Sequence, residues 1–214
     1  MMKLFGYWRS TAAYRVRIAL NLKKIAYEHV GVDLVAGGGQ QHTNAYGHKN
    51  PSHLVPALEL ESGKVLTQSL AIIDYLDTLV PAPPLLPTHP EARAEALAVA
   101  HVIAMDIHPI NNLRVVQHLG ATFDADAEAK AEWMRHWMAT GFDVLNALVK
   151  QDTAFAMGAA PGLADICLVA QFYNARRWGL DLQAYGRLAE IEQACLALKP
   201  FADARPEAQP DATN

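Results

Sequence analysis

The sequence predicts a small α/β domain followed by an all-helical domain, and three observations carry that reading. Strand and helix patterns alternate over residues 1–81, a proline-rich connector follows over 82–90, and residues 91–214 have helical periodicity. Lys3 to Tyr7 reads as a strand; Ala12, Val16, Ala19 and Leu20 then fall on one face of a helix. Tyr27 to Leu34, rich in valine, predicts a second strand that breaks at Gly37-Gly38-Gly39. Ala57 to Leu60 and Lys64 to Leu66, joined by Glu61-Ser62-Gly63, read as a hairpin. Helical spacing resumes after Ser69 through Ile72, Ile73, Tyr75, Leu76 and Leu79. The order is therefore βαβ then ββα, a small mixed sheet with helical cover. Five prolines between Val80 and Pro90 cannot continue a helix and mark the domain boundary. Helices are predicted at roughly 91–119, 127–150, 163–178 and 187–198, ending in a Pro/Ala/Asp-rich tail expected to fray.

Bulk properties narrow the function. With 214 residues, 51% hydrophobic and 19% charged, the chain can bury a core and disorder is excluded as the default. Eighteen Lys+Arg against 22 Asp+Glu give a formal charge of −4, so no basic field exists for a nucleic-acid backbone. Arginine enters at position 9 before an apolar leader core accumulates, and no run of about 18 apolar residues follows. A chain neither exported by that route nor membrane-spanning is expected. Cys167 and Cys195 are too few for a disulfide framework and sit in apolar helical stretches, which fits a reducing cytoplasm.

The usual phosphate-loop, dinucleotide and zinc signatures are absent, and His42, His48 and His53 lack metal-ligand spacing, so no metal is expected. Neither cysteine has an activating context. An enzyme built on this chain needs a nucleophile from elsewhere.

Three segments offer a place for one. Trp8 to Arg17 puts Ser10 and Thr11 at a strand-to-helix junction, where helix amides are unpaired and the dipole is positive. A hydroxyl there either caps the helix or donates to an anion. In Asn50-Pro51-Ser52-His53-Leu54-Val55-Pro56, a cis Val55–Pro56 bond would hold the Val55 backbone open to an extended ligand, whereas a trans bond makes an ordinary turn. In Thr67-Gln68-Ser69, Ser69 opens a helix either as a plain cap or as part of a carboxylate site.

Taken together these segments resemble the glutathione transferase family, whose first domain is thioredoxin-like. Arg9 to Leu20, Gly38-Gly39-Gln40-Gln41, Gln68 to Ile73 and Asp106 to Arg114 are similar to its zeta class, which includes bacterial maleylacetoacetate and maleylpyruvate isomerases. The resemblance runs from about residue 3 to the tail. It implies a glutathione transferase fold, glutathione as unconsumed cofactor, and a homodimer. It also implies residue roles: Ser10 and Thr11 near the glutathione sulfur, Arg15 among the glutathione-binding residues, Val55 on the cysteinyl backbone, Gln68 and Ser69 on the γ-glutamyl carboxylate, and Gln41 at the far end. His108, Asn112, Leu113 and Arg114 match glutathione-binding positions of the helical domain.

The implied reaction is cis–trans isomerisation of a maleyl keto acid such as maleylacetoacetate: a thiolate, stabilised by Ser10, adds to the cis double bond, the bond rotates, and elimination follows. Arg9, then Arg177 and Arg176, are the cations expected to meet substrate carboxylate and enolate charge; a solvated helix end stands as the alternative for Arg176 and Arg177. Maleylpyruvate and small α-halo acids are rival substrates, and a glutathione transferase-like binding module without catalysis is the rival class. Two departures stand out. Ala12 replaces the cysteine many relatives carry. Gly162 replaces the usual Thr or Ser before the helix that contains Asp165, at an expected cost of a few tenths of a kcal/mol.

Overall fold

A computed structural model describes residues 1–213. The chain forms two compact units, Met1–Pro84 together with the segment from Ala197 onward, and Leu85–Leu196.

The first unit is a four-stranded sheet ordered β2-β1-β3-β4, with β1 Met2–Gly6, β2 Tyr27–Gly31, β3 Ala57–Glu59 and β4 Val65–Thr67. β1 runs parallel to β2 and antiparallel to β3, and β3 to β4 is the predicted hairpin. Helices α1 (Thr11–Leu22) and α3 (Ser69–Leu79) pack together, and a single turn, α2 (Asn44–Gly47), lies in the long loop. β2 stops at Gly31 rather than at the predicted Leu34. Its partner β1 ends at Gly6, and the Asp33 carboxylate accepts from the Val35 and Ala36 amides, turning the chain out of the sheet. At the far end of α1, the buried Lys23 ammonium donates to Asp77 Oδ1 at 2.6 Å, to the Val80 carbonyl at 2.7 Å and to the Pro83 carbonyl. It thereby closes the α1 and α3 C-termini onto the connector.

The tail departs most from its sequence reading. It does not fray over the described residues and belongs with the first unit, not with the helical one. α10 (Lys199–Ala202) packs on α1, Phe201 and Ala204 are fully buried, and the Gln209 amide donates to the Asp203 and Arg205 carbonyls. Cover from this side explains why α1 is buried along almost its whole circumference from Thr11 to Leu20.

The second unit contains α4 (Pro90–His101), α5 (His108–Ile110), α6 (Leu113–Phe123), α7 (Ala127–Leu148), α8 (Leu163–Arg177) and α9 (Gly186–Leu196). The single helix expected over 91–119 is interrupted. Val102–Ile107 is a π-helical turn, with the His108 amide bonding back to the Ile103 carbonyl, and the chain breaks at Asn111-Asn112. Pro109 supplies no N–H to the preceding turn, which accounts for the widening. α7 accommodates this segment at Gly141, where a Cβ would lie 2.3 Å from Ile107 Cδ1.

Candidate active site

The polar groups that could receive a ligand in the first unit sit at the C-terminal end of β1, just before β3, and at the starts of α1 and α3. The Ser10 amide bonds the Tyr7 carbonyl at 2.9 Å, making the turn by which β1 enters α1. Ser10 is the N-cap: its Oγ accepts from the Ala13 amide at 3.2 Å. The cap and donor alternatives are therefore compatible. Accepting uses an oxygen lone pair, and the hydroxyl proton stays available to a ligand. Ser10 is half-buried whereas Thr11 is buried, so Ser10 is the hydroxyl a solvent-side ligand can reach. The Arg9 guanidinium lies 4.2 Å above the Trp8 ring.

The Val55–Pro56 bond is cis. The segment before it is fixed by one carbonyl: Leu54 C=O accepts from the Tyr46 hydroxyl and from the Asn50 amide, each at 2.7 Å. Burial pushes the Tyr46 phenol up to about 12, so it remains a donor at neutral pH. Val55 packs its side chain against the cluster of Phe5, Val32, Tyr46 and Ala57. Among the described residues, no turn or loop hydrogen bond occupies the Val55 N–H or C=O.

At α3, Gln68 occupies the N-cap with φ of 69°, left-handed backbone in a non-glycine residue, and gives no side-chain cap. Ser69 is buried at the first position. Arg15, almost fully buried on α1, brings Nη1 to 3.5 Å from Ser69 Oγ, at the outer limit of a hydrogen bond. An uncapped helix N-terminus thus has a guanidinium behind it, a combination suited to a carboxylate.

Gln41 lies in the long loop after β2. Its side chain is buried in the loop, with Nε2 3.4 Å from the Leu34 carbonyl, and His53 Nδ1 lies 2.7 Å from the Gln41 carbonyl. His42 and His53 stack with ring centroids 5.9 Å apart.

In the second unit, His108, Asn112, Leu113 and Arg114 gather where the π turn gives way to α6. Asn112 caps α6 by accepting from the Arg114 amide at 3.2 Å, and Leu113 and Arg114 are exposed. Arg176 and Arg177 have different neighbours. Arg176 makes a bidentate pair with the buried Glu192, its Nη2 2.5 Å from Oε2, while Arg177 lies 5.5 Å from the Trp178 ring centroid. The bidentate pair counts against Arg176 as a substrate ligand.

The start of α8 explains the departure at Gly162. Asp165 accepts from the Gly162 amide at 2.8 Å and the Ala156 amide at 2.7 Å, while the Leu85 carbonyl takes the Leu163 amide at 2.8 Å. A Cβ at 162 would sit 2.7 Å from that carbonyl oxygen, so glycine permits the close approach. Burial pushes the Asp165 carboxyl up to about 6, against the opposing pull of those amides. The same burial, with Asp165 adjoining, raises the Cys195 thiol and leaves it inert.

Sequence reasoning missed Asp211, which reaches the Trp8 amide from the far end of the chain. Nothing local in a Pro/Ala/Asp-rich tail signals that contact. No helix among the described residues is long and apolar enough to cross a membrane.

Comparisons with known proteins bear on the fold and the family. The family model for the glutathione S-transferase N-terminal domain matches residues 4–84. A probable maleylacetoacetate isomerase of Vibrio cholerae is 47% identical, covering 98% of this chain and 97% of that protein. The holo structure of a maleylpyruvate isomerase, a bacterial zeta-class glutathione S-transferase, superposes with a TM-score of 0.95 at 40% identity, covering 99% of this chain and 100% of that one. A maleylacetoacetate isomerase from Methylobacterium extorquens, solved with malonate and glutathione bound, gives 0.94 at 41% identity with coverages of 99% and 100%.

Proposed function

The chain belongs to the glutathione S-transferase family, in its zeta class, and from that premise we propose that it is a glutathione-dependent cis–trans isomerase acting on maleylacetoacetate. The observation that carries the proposal is the start of α1: a half-buried serine whose oxygen is satisfied by the Ala13 amide and whose proton is left to donate. The full-length likeness to a maleylacetoacetate isomerase supports the substrate. The likeness to a maleylpyruvate isomerase supports the shorter keto acid as a second one.

The polar groups of the first unit fit glutathione. Ser10 would meet the sulfur, the open Val55 backbone the cysteinyl residue, and Gln68 with Ser69 the γ-glutamyl carboxylate. Arg15 would act from behind Ser69 instead of touching the ligand. His108, Asn112, Leu113 and Arg114 complete the proposed glutathione-binding set. The chemistry supplied by bound glutathione is a thiolate whose reversible addition to the cis double bond permits rotation. Ser10 donates a hydrogen bond that favours ionised sulfur, and the α1 N-terminus adds its positive potential, together lowering a thiol pKa of about 8.5 toward neutrality. Arg9 is the first cation proposed to meet the carboxylate and the developing enolate charge of the substrate, with Arg177 as the alternative.

A homodimer and a cytoplasmic setting complete the proposal. Exposed Phe123, Val144 and Leu148 on α6 and α7 supply apolar surface for association, and Cys167 and Cys195 are buried and not joined in a disulfide, as a reducing compartment allows. Light scattering that returned a single 23.4 kDa species would contradict the dimer. Absorbance-monitored isomerisation of maleylacetoacetate and maleylpyruvate, with and without glutathione, tests the activity. Turnover of maleylacetoacetate that requires glutathione supports it, and a rate undiminished after exhaustive removal of glutathione contradicts it.

A further inference from the structure

The turn that carries Arg9 and Ser10 is held from the opposite end of the chain. Trp8 is buried, so both polar groups of its backbone need partners within the protein. The Trp8 N–H donates to Asp211 Oδ2 at 3.1 Å. The Trp8 C=O accepts from Arg17 Nη2 at 3.1 Å, and Arg17 is itself anchored through Nε to the Ala204 carbonyl at 3.0 Å. Each backbone bond of Trp8 therefore ends, directly or through Arg17, on the tail. The other Asp211 oxygen lies 2.8 Å from His29 Nε2 on β2. From Trp8 the constraint passes forward in two ways: its ring supports the Arg9 guanidinium at 4.2 Å, and the turn closes through the Ser10 amide on the Tyr7 carbonyl.

We propose that Asp211 is a positioning residue for isomerisation, clamping the Trp8 amide so that Arg9 and Ser10 keep their aim at substrate and thiol. This rests on the functional reading above. Loss of the clamp orphans a buried amide, and the turn relaxes to find another partner. A displacement near 1 Å at a reacting group lowers rates by about 100-fold in the extreme, so a partial relaxation of the turn by about tenfold is the expected scale. Asparagine offers a way to separate geometry from bulk stability. Its carbonyl can accept from the Trp8 N–H, and its amide can donate to His29 Nε2 once the neutral ring takes the Nδ1–H tautomer.

The test compares Asp211→Ala and Asp211→Asn in the full chain, with removal of residues 211–214 as a second form of the loss that leaves Phe201, Ala204 and Gln209 in place. The readouts are kcat/KM for isomerisation per folded molecule, the thiol pKa from its pH profile, and the thermal midpoint. Asp211→Ala and the truncation should lower kcat/KM about tenfold and raise the thiol pKa, while Asp211→Asn stays within about twofold of wild type. Wild-type kinetics in Asp211→Ala, or equal impairment in Asp211→Asn, would overturn the proposal. If the wild-type protein bound glutathione but did not isomerise maleyl acids, the functional reading would fail separately. The clamp would then be read from the thiolate absorbance of bound glutathione during a pH titration of the same variants.

Discussion

The helix starts at Ser10 and at Gly162 face one problem, unpaired N-terminal amides, and resolve it in opposite ways. At α8 the protein supplies its own acceptors: Asp165 takes the Gly162 amide, together with that of Ala156 in the loop before it, and the Leu85 carbonyl takes the Leu163 amide. At α1 a short hydroxyl takes one amide and retains a proton, and α3 carries no side-chain cap at all. A positive helix end is common to all three. What distinguishes a site is that the chain leaves it open.

This contrast can be broken from either side. Asp165→Ala should have the largest effect, about 3 kcal/mol of lost stability, because the Gly162 amide and the loop amide of Ala156 lose their acceptor together. Denaturant unfolding measures it, and the rate per folded molecule should not change. Ser10→Ala should do the reverse. It forfeits about 1 kcal/mol as a cap but lowers kcat/KM at neutral pH by about 100-fold, a loss comparable to removing one preorganised donor; glutathione affinity should fall less. Gly162→Ser is smaller and decides between two rules. A serine is the better N-cap in general, yet here its Cβ meets the Leu85 carbonyl at 2.7 Å, so the prediction is destabilisation by about 1–2 kcal/mol. A rise in the thermal midpoint would show that the approach relaxes freely. The smallest effect is on the pH dependence of stability. The folded Asp165 carboxyl, at about 6, binds its proton more tightly than in the unfolded chain. Its contribution is therefore fully present below the unfolded carboxylate value and declines as pH rises toward 6. The slope of stability over that window should be less negative in Asp165→Asn than in wild type.

The same contrast marks what the sequence made legible. Ser10, Val55 and Ser69 were readable because each belongs to a short-range device, a cap, an X-Pro step or a helix start, whose residues are neighbours in sequence. The β3–β4 hairpin and α3 were readable for the same reason. The clamp on Trp8 was not, since Asp211 lies 203 positions away and Ala204 lies 187 positions from Arg17. Arg176 could not be told from Arg177 without the position of Glu192 on α9. The π turn was hidden because Pro109 signals an interruption without saying whether the helix widens, kinks or ends. Gly162 looked like a weakened cap and is instead a fitted one, a distinction set by the Leu85 carbonyl, which is distant in sequence.

The central claim is that the open start of α1 ionises a thiol the protein does not itself carry. Titrating the thiolate absorbance of glutathione bound to the wild-type chain and to Ser10→Ala tests it most directly. The bound thiol should have a pKa well below about 8.5 in the wild type, rising by about one unit or more in Ser10→Ala. Equal values in the two proteins would contradict it.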